Sequence, residues 1–173
     1  MTAPALVMVA RGSSDPMVAQ VTHQLVRCLS QMRPEMSVHG AFLQSNPPSA
    51  SQVIDQLAAA GVNEVVLVPL ELTHAIESDP AMIELLHRAR TNYPDLRFTL
   101  SRPIGPELSL LTVLDQRLRS SLSQARCLEL DGLVLSASCT GDVRGSALLA
   151  RRARQWSTQH RLPCLTAVAD DSG

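Results

Sequence analysis

Residues 6–15 read Leu6-Val7-Met8-Val9-Ala10-Arg11-Gly12-Ser13-Ser14-Asp15, an apolar run that passes directly into a polar loop. The pattern returns without a gap at residues 133–142, which read Leu133-Val134-Leu135-Ser136-Ala137-Ser138-Cys139-Thr140-Gly141-Asp142. The same register places Val38-His39-Gly40-Ala41-Phe42 over Leu165-Thr166-Ala167-Val168-Ala169. The sequence therefore contains two copies of one strand-loop-helix-strand unit, of which the second is incomplete.

Short apolar runs alternate with longer amphipathic stretches along the chain, which is typical of parallel strands joined by crossover helices. We predict strands at residues 5–10, 38–43, 64–70, 97–101, 132–137 and 164–169. We predict helices at residues 16–32, 49–60, 80–93, 106–123 and 145–160. Right-handed crossovers place helices on both faces of such a sheet, and the nearly continuous apolar run at 64–70 predicts a central strand.

Several helix ends carry residues that favour a boundary. Prolines suited to the first helical turn are Pro16, Pro80 and Pro106. Side chains suited to capping are those of Asp15, Ser49 and Asp79, and Gly61 suits a left-handed end.

The repeat predicts two domains, a complete one at residues 1–125 and an incomplete second repeat at residues 126–173. A parallel sheet of two strands cannot cover both of its own faces. The second repeat must therefore pack on the first, pair with another chain as in a homo-oligomer, or be the front of a longer polypeptide, which we favour.

Composition excludes some classes of protein. Charged residues make up 18% of the chain and the formal net charge is -1, so no general basic field favours nucleic acid. The four cysteines form no CxxC pair, which favours reduced thiols and a cytoplasmic protein. No apolar stretch approaches the roughly 20 residues of a membrane span, so we expect no membrane partner.

The carboxyl ends of parallel strands are where open α/β sheets bind ligands. The loop Arg11 to Asp15 could hold an anion at a helix N-terminus, although a plain capped turn explains the same residues equally well. His74 and Glu77 are three residues apart, so on a helical turn they would share a face and could bind a divalent metal or transfer protons. Two ligands are few for a metal site.

The other histidines are interpreted as structural or surface residues. His23, His87 and His160 fall in predicted helices amid solvated positions, and His39 falls in a predicted strand. His39 is the least certain of the four because its strand leads into a candidate ligand loop.

The order of these segments resembles the sirohydrochlorin chelatase family, the class II tetrapyrrole chelatases. Residues 6–15 resemble the opening strand and HGSxD loop of the family, and residues 41–49 resemble its AFLE…PS element. Residues 65–72 are similar to its VPLFL strand, and residues 74–80 to its HVxEDIP segment. The resemblance covers residues 4 to about 125, and two such domains are found in long family members, as the repeat implies.

The resemblance implies a flavodoxin-like, doubly wound parallel sheet that inserts Co²⁺ or Fe²⁺ into sirohydrochlorin for cobalamin or sirohaem synthesis. The metal would be a substrate, with no permanently bound cofactor and a tetrapyrrole as partner. His74 and Glu77 would be the catalytic residues and metal ligands. The substrate-binding residues would be Arg11, Gly12, Ser13, Ser14, Asp15 and Arg102, with Arg144 adding positive charge.

The departures from the family pattern leave other functions open. Arg11 stands where the family has its first histidine, Ser138 stands there in the second copy, and Gln44 replaces an acidic residue. A guanidinium stays protonated and cannot bind a metal or accept a proton. The alternative is therefore a non-catalytic relative that binds a tetrapyrrole or metal. A third hypothesis is an anion- or nucleotide-binding flavodoxin-like domain.

Overall fold

The structure is a computed structural model that describes residues 4–127 and 129–168. Packing divides the chain into two compact units. The first unit comprises the chain as far as Glu71 together with Ser78–Pro103, and the second unit comprises Leu72–Glu77 and the chain from Ile104 onward. The segment with His74 and Glu77 thus belongs to the second unit, although the elements on either side of it belong to the first.

The first unit is a four-stranded parallel sheet with three helices. Its strands are β1 (Ala5–Ala10), β2 (Val38–Phe42), β3 (Glu64–Pro69) and β4 (Arg97–Leu100). Its helices are α1 (Pro16–Met32), α2 (Ala50–Ala59) and α3 (Pro80–Asn92). The strand order is β2-β1-β3-β4, so β3 lies inside the sheet as the apolar run predicts. The predicted α/β fold is confirmed.

The core of the first unit forms where apolar strand residues meet the apolar faces of α2 and α3. Val7 and Leu67 are adjacent in the register of β1 and β3, and both are fully buried. Ile54 of α2 and Met82 of α3 are buried in the same cluster. Burial of each such side chain contributes about 1.5–3 kcal/mol to the free energy of unfolding. The cluster therefore stabilises the sheet that carries the loops at its carboxyl edge.

The second unit is smaller. It contains α4 (Ser109–Ala125), β5 (Leu133–Ala137), α5 (Val143–His160) and β6 (Cys164–Val168), and β5 and β6 pair in parallel. A small apolar cluster of residues from β5, α4 and α5 forms its core: Leu111, Leu133, Leu135, Ala153 and Trp156. The outer side chains Val134 and Leu165, which are neighbours in the register, remain exposed.

A hydrogen-bonded contact at the buried Asp115 joins α4 to α5 in the second unit. The Asp115 carboxylate lies 2.5 Å from His160 Nε2 and accepts a 2.9 Å hydrogen bond from Arg119 Nε. Burial alone would raise the pKa of Asp115, but the hydrogen bonds from His160 and Arg119 lower it below its usual value. These contacts fit the interpretation of His160 as a structural residue, because its ring packs against Trp156 and its Nε2 hydrogen-bonds to Asp115 of the neighbouring helix.

The residues predicted to mark helix boundaries are found at those boundaries, except for Pro106. Asp15, Ser49 and Asp79 cap their helices through side-chain hydrogen bonds, and Gly61 has a left-handed φ of 73°. Pro106 is not in the first turn of α4, which begins at Ser109 without a side-chain cap. The Pro106 carbonyl instead accepts a 2.8 Å hydrogen bond from Arg152 Nε.

The second copy differs from the predictions at the start of its helix. α5 begins at Val143 rather than Gly145, because Asp142 caps it. The predicted last strand residue, Ala169, and residues 170–173 lie outside the described residues. The division into domains 1–125 and 126–173 stays a prediction about the copied unit, since the compact units follow packing and assign α4 to the second unit. In the part of the chain that the structure describes, no helix is long and apolar enough to cross a membrane.

Candidate functional site

The loop after β1 is shaped by backbone constraints. Gly12 has a φ of 89°, and a Cβ at this position would lie 1.8 Å from the Gln44 carbonyl oxygen. Only glycine fits here, because both the conformation and the close approach exclude a side chain. The Ser13 N–H donates a 2.8 Å hydrogen bond to Asn46 Oδ1, and the Asp15 carboxylate accepts one of 2.9 Å from the Met17 N–H. These predicted substrate-binding residues thus have structural roles within the loop.

Arg11 is the charged group of this loop. Its guanidinium Nη1 lies 3.6 Å from Asp79 Oδ2, and its side chain is 59% exposed. Asp79 is itself held in place, because it caps α3 by accepting a 2.8 Å hydrogen bond from the Ala81 N–H. The Asp79 N–H in turn donates to the carboxylate of Glu71. Arg11 therefore carries a solvent-accessible positive charge beside an ordered carboxylate, and such exposed pairs contribute about 1 kcal/mol or less.

The segment with His74 and Glu77 is not helical. Residues 71–79 are irregular and α3 begins only at Pro80, so the helical turn on which the two side chains would share a face is absent. His74 is half-buried and Glu77 is exposed. The conformation of this segment is fixed instead by hydrogen bonds to another residue of the second unit.

That residue is Asp142. Its carboxylate accepts hydrogen bonds from the backbone N–H groups of Ala75 (3.2 Å), Ile76 (2.8 Å) and Glu77 (2.9 Å). It also accepts the N–H of Gly145 at 2.5 Å as the N-cap of α5. One side chain therefore satisfies three successive donors of the His74 loop and one orphan donor of a helix.

The ionisation of Asp142 follows from these bonds. Burial alone would raise its pKa, but the N–H groups of Glu77, Ile76, Gly145 and Ala75 all favour the charged form. The balance lowers the pKa of Asp142 from 3.8 to about 2. The carboxylate is therefore ionised at neutral pH, and its negative charge complements the positive end of the α5 dipole.

Two glycines let the backbone around Thr73 lie close to the backbone at the start of α5. A Cβ at Gly141 would lie 1.9 Å from the Thr73 carbonyl oxygen, and one at Gly145 would lie 1.7 Å from the same atom. Gly141 also has a φ of 68°. Larger residues at these positions would push residues 72–77 away from the start of α5.

The second copy adds one more contact near His74. The hydroxyl oxygen of the buried Thr73 lies 2.9 Å from Cys139 Sγ and 3.4 Å from His74 Nδ1. Thr73, Cys139 and Asp142 were not predicted as site residues. The repeat contained one signal, because Asp142 aligns with the capping residue Asp15.

The other two arginines of the predicted site are both exposed. Arg102 follows β4 in the first unit, and Arg144 lies at the start of α5 in the second. Within residues 4–127 and 129–168, no group of three or more His, Cys, Asp or Glu side chains could hold a metal ion. His39 accepts or donates a 2.8 Å hydrogen bond with Ser37 Oγ, and burial lowers its pKa, which fits the structural interpretation.

Comparison with known proteins identifies the family. The sequence model of the CbiX family matches residues 5–121. The chain belongs to the CbiX family. The resemblance to the sirohydrochlorin chelatases is thereby confirmed, and this CbiX-family chain carries Arg11 where the resemblance predicts a histidine.

Two curated relatives are sirohydrochlorin cobaltochelatases. The one from Priestia megaterium is 34% identical over 84 residues, which are 49% of this chain and 28% of the relative. The one from Methanopyrus kandleri is 27% identical over 74 residues, which are 43% of this chain and 52% of the relative. The matched part of the CbiX-family chain thus spans between a quarter and about half of the length of these relatives.

Solved structures share the fold. The sirohydrochlorin chelatase SirB from Bacillus subtilis subspecies spizizenii, in complex with cobalt, aligns with a TM-score of 0.72 at 16% identity, covering 95% of this chain and 66% of SirB. A CbiX protein from Marinobacter aquaeolei VT8 aligns with a TM-score of 0.55 at 17% identity, covering 70% of this chain and 99% of that protein. At these identities the comparison concerns the fold.

Replacing Asp142 tests whether this residue orders the His74 loop. We expect Asp142→Ala to lower the free energy of unfolding by about 1–3 kcal/mol and to speed amide hydrogen exchange at residues 75–77, because their acceptor is lost. Asp15→Ala is the matched control, since Asp15 occupies the same position in the first copy and caps only α1. It should cost about 1 kcal/mol and leave exchange at residues 75–77 unchanged. Equal amide exchange rates at residues 75–77 in the two variants would show that Asp142 does not order the His74 loop.

Acid should release the same loop. A carboxyl group whose pKa is lowered by folding stabilises the fold at pH values above its pKa in the unfolded chain. This contribution is lost as the pH falls through its pKa in the folded protein. We therefore expect the amide resonances of Ile76 and Glu77 to shift with a midpoint near pH 2, the pKa of Asp142. Nuclear magnetic resonance on the folded fraction measures this midpoint. A midpoint at or above the unperturbed 3.8 would show that these hydrogen bonds are not formed.

Proposed function

We propose that this chain acts as a sirohydrochlorin chelatase that inserts a divalent ion, cobalt or ferrous iron, into sirohydrochlorin for cobalamin or sirohaem synthesis. Membership of the CbiX family and two relatives named sirohydrochlorin cobaltochelatases support the reaction. The observation that carries the proposal to particular residues is the loop of residues 74–77, held by the Asp142 carboxylate. The metal ion is a substrate, and no permanently bound cofactor is required.

Metal insertion needs a base and a ligand. The pyrrole N–H protons must leave, and the ion must be handed over after it has lost part of its water shell. A neutral imidazole can accept a proton or bind a borderline divalent ion, and a carboxylate can do the other task. We assign these tasks to His74 and Glu77. Because Asp142 holds the backbone at residues 75–77, less conformational entropy is lost when these side chains engage the substrate.

Arg11 is assigned to the substrate rather than to the metal. Its exposed guanidinium is held only loosely, 3.6 Å from Asp79, so it can exchange that partner for a carboxylate side arm of the tetrapyrrole. A guanidinium binds a carboxylate through two parallel hydrogen bonds. Gly12, Ser13 and Asp15 shape the loop that presents Arg11, and the exposed Ser14 and Arg102 are further groups for the acidic side arms.

Insertion of Co²⁺ or Fe²⁺ by the purified chain, followed by sirohydrochlorin absorbance without oxygen, tests this function. We expect a rate above the spontaneous one, and we expect His74→Ala to lower it about 100-fold or more, as loss of a proton-transferring group does. His87→Ala is the matched control, because His87 is exposed on α3 and should leave the rate unchanged. A wild-type rate equal to the spontaneous rate would overturn the proposal.

A second candidate function is binding of a tetrapyrrole or metal ion without turnover. It is favoured by Arg11 in place of a histidine, and by the lack of a three-ligand group in the described parts of the chain. This carrier function predicts an absorbance shift on mixing with sirohydrochlorin and no metal insertion.

Arg11→His separates the two candidates. If Arg11 binds a substrate carboxylate, the variant should bind sirohydrochlorin about 10-fold more weakly, because a charge-assisted hydrogen bond is lost. The carrier function predicts unchanged binding, and turnover that appears only in the variant would identify the wild type as a carrier. Arg33→His is the control, since Arg33 is 65% exposed beside Glu35 in the loop after α1. Titration followed by absorbance gives both affinities.

A further inference from the structure

We propose that α1 is a self-association surface, through which this chain pairs with a second copy of itself as two antiparallel helices. The helix carries a row of exposed apolar side chains, which we call the α1 stripe. Met17 is 55% exposed, Val21 53%, Leu25 41% and Met32 74%. Cys28, which is also exposed, completes the stripe. This pairing does not depend on the proposed function.

The α1 stripe follows one side of the helix. Its five members are separated by four, four, three and four residues, which is the spacing of an apolar seam between two packed helices. The helix packs on its own sheet through another face, because a Cβ at Gly40 of β2 would lie 3.0 Å from Val26 Cγ2 and 3.8 Å from Thr22 Cγ2. The stripe is therefore not explained by the packing of α1 on the sheet.

The second copy of the repeat shows that the fold does not require this stripe. The constant offset between the copies aligns α1 with α5. Four of the five aligned positions in α5 carry arginine or glutamine, and only one is apolar: Arg144, Leu148, Arg152, Gln155 and Gln159. The apolar face is thus a property of α1 itself. Contiguous exposed apolar patches of this kind are typical of surfaces that bind another protein.

The order of side chains in the stripe suits a second copy of the same chain. Read from either end, the stripe begins with Met, continues with a smaller side chain and has Leu at its centre. A two-fold axis near Leu25 would place Met17 against the partner's Met32. The same axis would place Val21 against the partner's Cys28. A two-fold interface needs such self-complementarity, because each residue and its contact partner exchange roles across the axis.

The edge of the stripe is also compatible with a copy of itself. Gln20, Gln24, Arg27 and Gln31 are exposed along this edge, and Arg27 is the only Asp, Glu, Lys or Arg residue of α1. In the antiparallel pair Gln20 would face the partner's Gln31, and Arg27 would face the partner's Gln24. No like charges meet, and each amide can both donate and accept hydrogen bonds.

The helix dipoles favour the same orientation. In an antiparallel pair the positive N-terminus of each helix lies beside the negative C-terminus of the other. A strongly acidic or basic partner would find few charges on α1 with which to pair. The surface therefore fits an uncharged apolar helix, and the copy of α1 supplies one with the matching order of side chains.

Sedimentation velocity of the purified full chain tests this interface. We expect a dimer in exchange with a monomer over a range of micromolar concentrations. Leu25→Asp should weaken the dimer about 10-fold or more, because a carboxylate without a partner would be buried at the centre of the interface. Ile83→Asp is the matched control, since it makes a similar change at an exposed apolar residue of α3. It should leave the dimer unchanged.

Two outcomes of this measurement would overturn the proposal. A wild type that stays monomeric throughout the range would show that the α1 stripe does not pair with a copy of itself. A dimer that persists in Leu25→Asp, or that is lost equally in Ile83→Asp, would show that association uses another surface. Circular dichroism of each variant ensures that only folded protein is compared.

Disulfide cross-linking tests the orientation of the two helices without an acidic variant. Under mild oxidation, Val21→Cys should form a disulfide with the partner's Cys28, which requires Cα atoms about 4.4–6.8 Å apart. Adding Cys28→Ser should abolish this cross-link, and peptide mass spectrometry identifies the cysteines that are joined. A link between the two copies of position 21, or between the two copies of Cys28, would indicate parallel helices and refute the antiparallel pair.

Discussion

The carboxylate of Asp142 joins two parts of the chain that are 65 to 67 residues apart. It caps α5 and at the same time holds the backbone of the loop that contains His74 and Glu77. The loop has no regular secondary structure, so its conformation depends on this acceptor and on the two glycines that let the backbones meet. Four N–H groups around one carboxylate also explain why its pKa falls to about 2 in spite of partial burial.

Much of the fold follows from local sequence. The spacing of apolar residues is sufficient to locate the strands and helices, because each strand is an apolar run and each helix is amphipathic. Asp15, Ser49 and Asp79 confirm that capping residues mark helix starts. The exception is Pro106, which suits a first turn but lies before α4. Its carbonyl is instead bonded to Arg152, a tertiary contact that outweighs the local preference and that no sequence window contains.

The candidate site could be predicted only in part. The resemblance selects Arg11, His74 and Glu77 from their positions along the chain. It cannot select Asp142, because the contacts of this side chain are with a segment 65 to 67 residues away. The spacing of His74 and Glu77 suggested a shared helical face, yet the backbone there bends around the Asp142 carboxylate. Long-range acceptors of this kind override the short-range periodicity on which that prediction was based.

The repeat shows how a duplicated segment can diverge in its structural role. In the first copy, Asp15 serves only its own helix, whereas the aligned Asp142 serves a distant loop as well. The chain also passes from the first unit to the second at Leu72 and back at Ser78. A shortened polypeptide ending near residue 125 would therefore retain His74 but lose the carboxylate that orders its loop. Deletion of the second copy would therefore also change the conformation of a loop that lies well before it in the sequence.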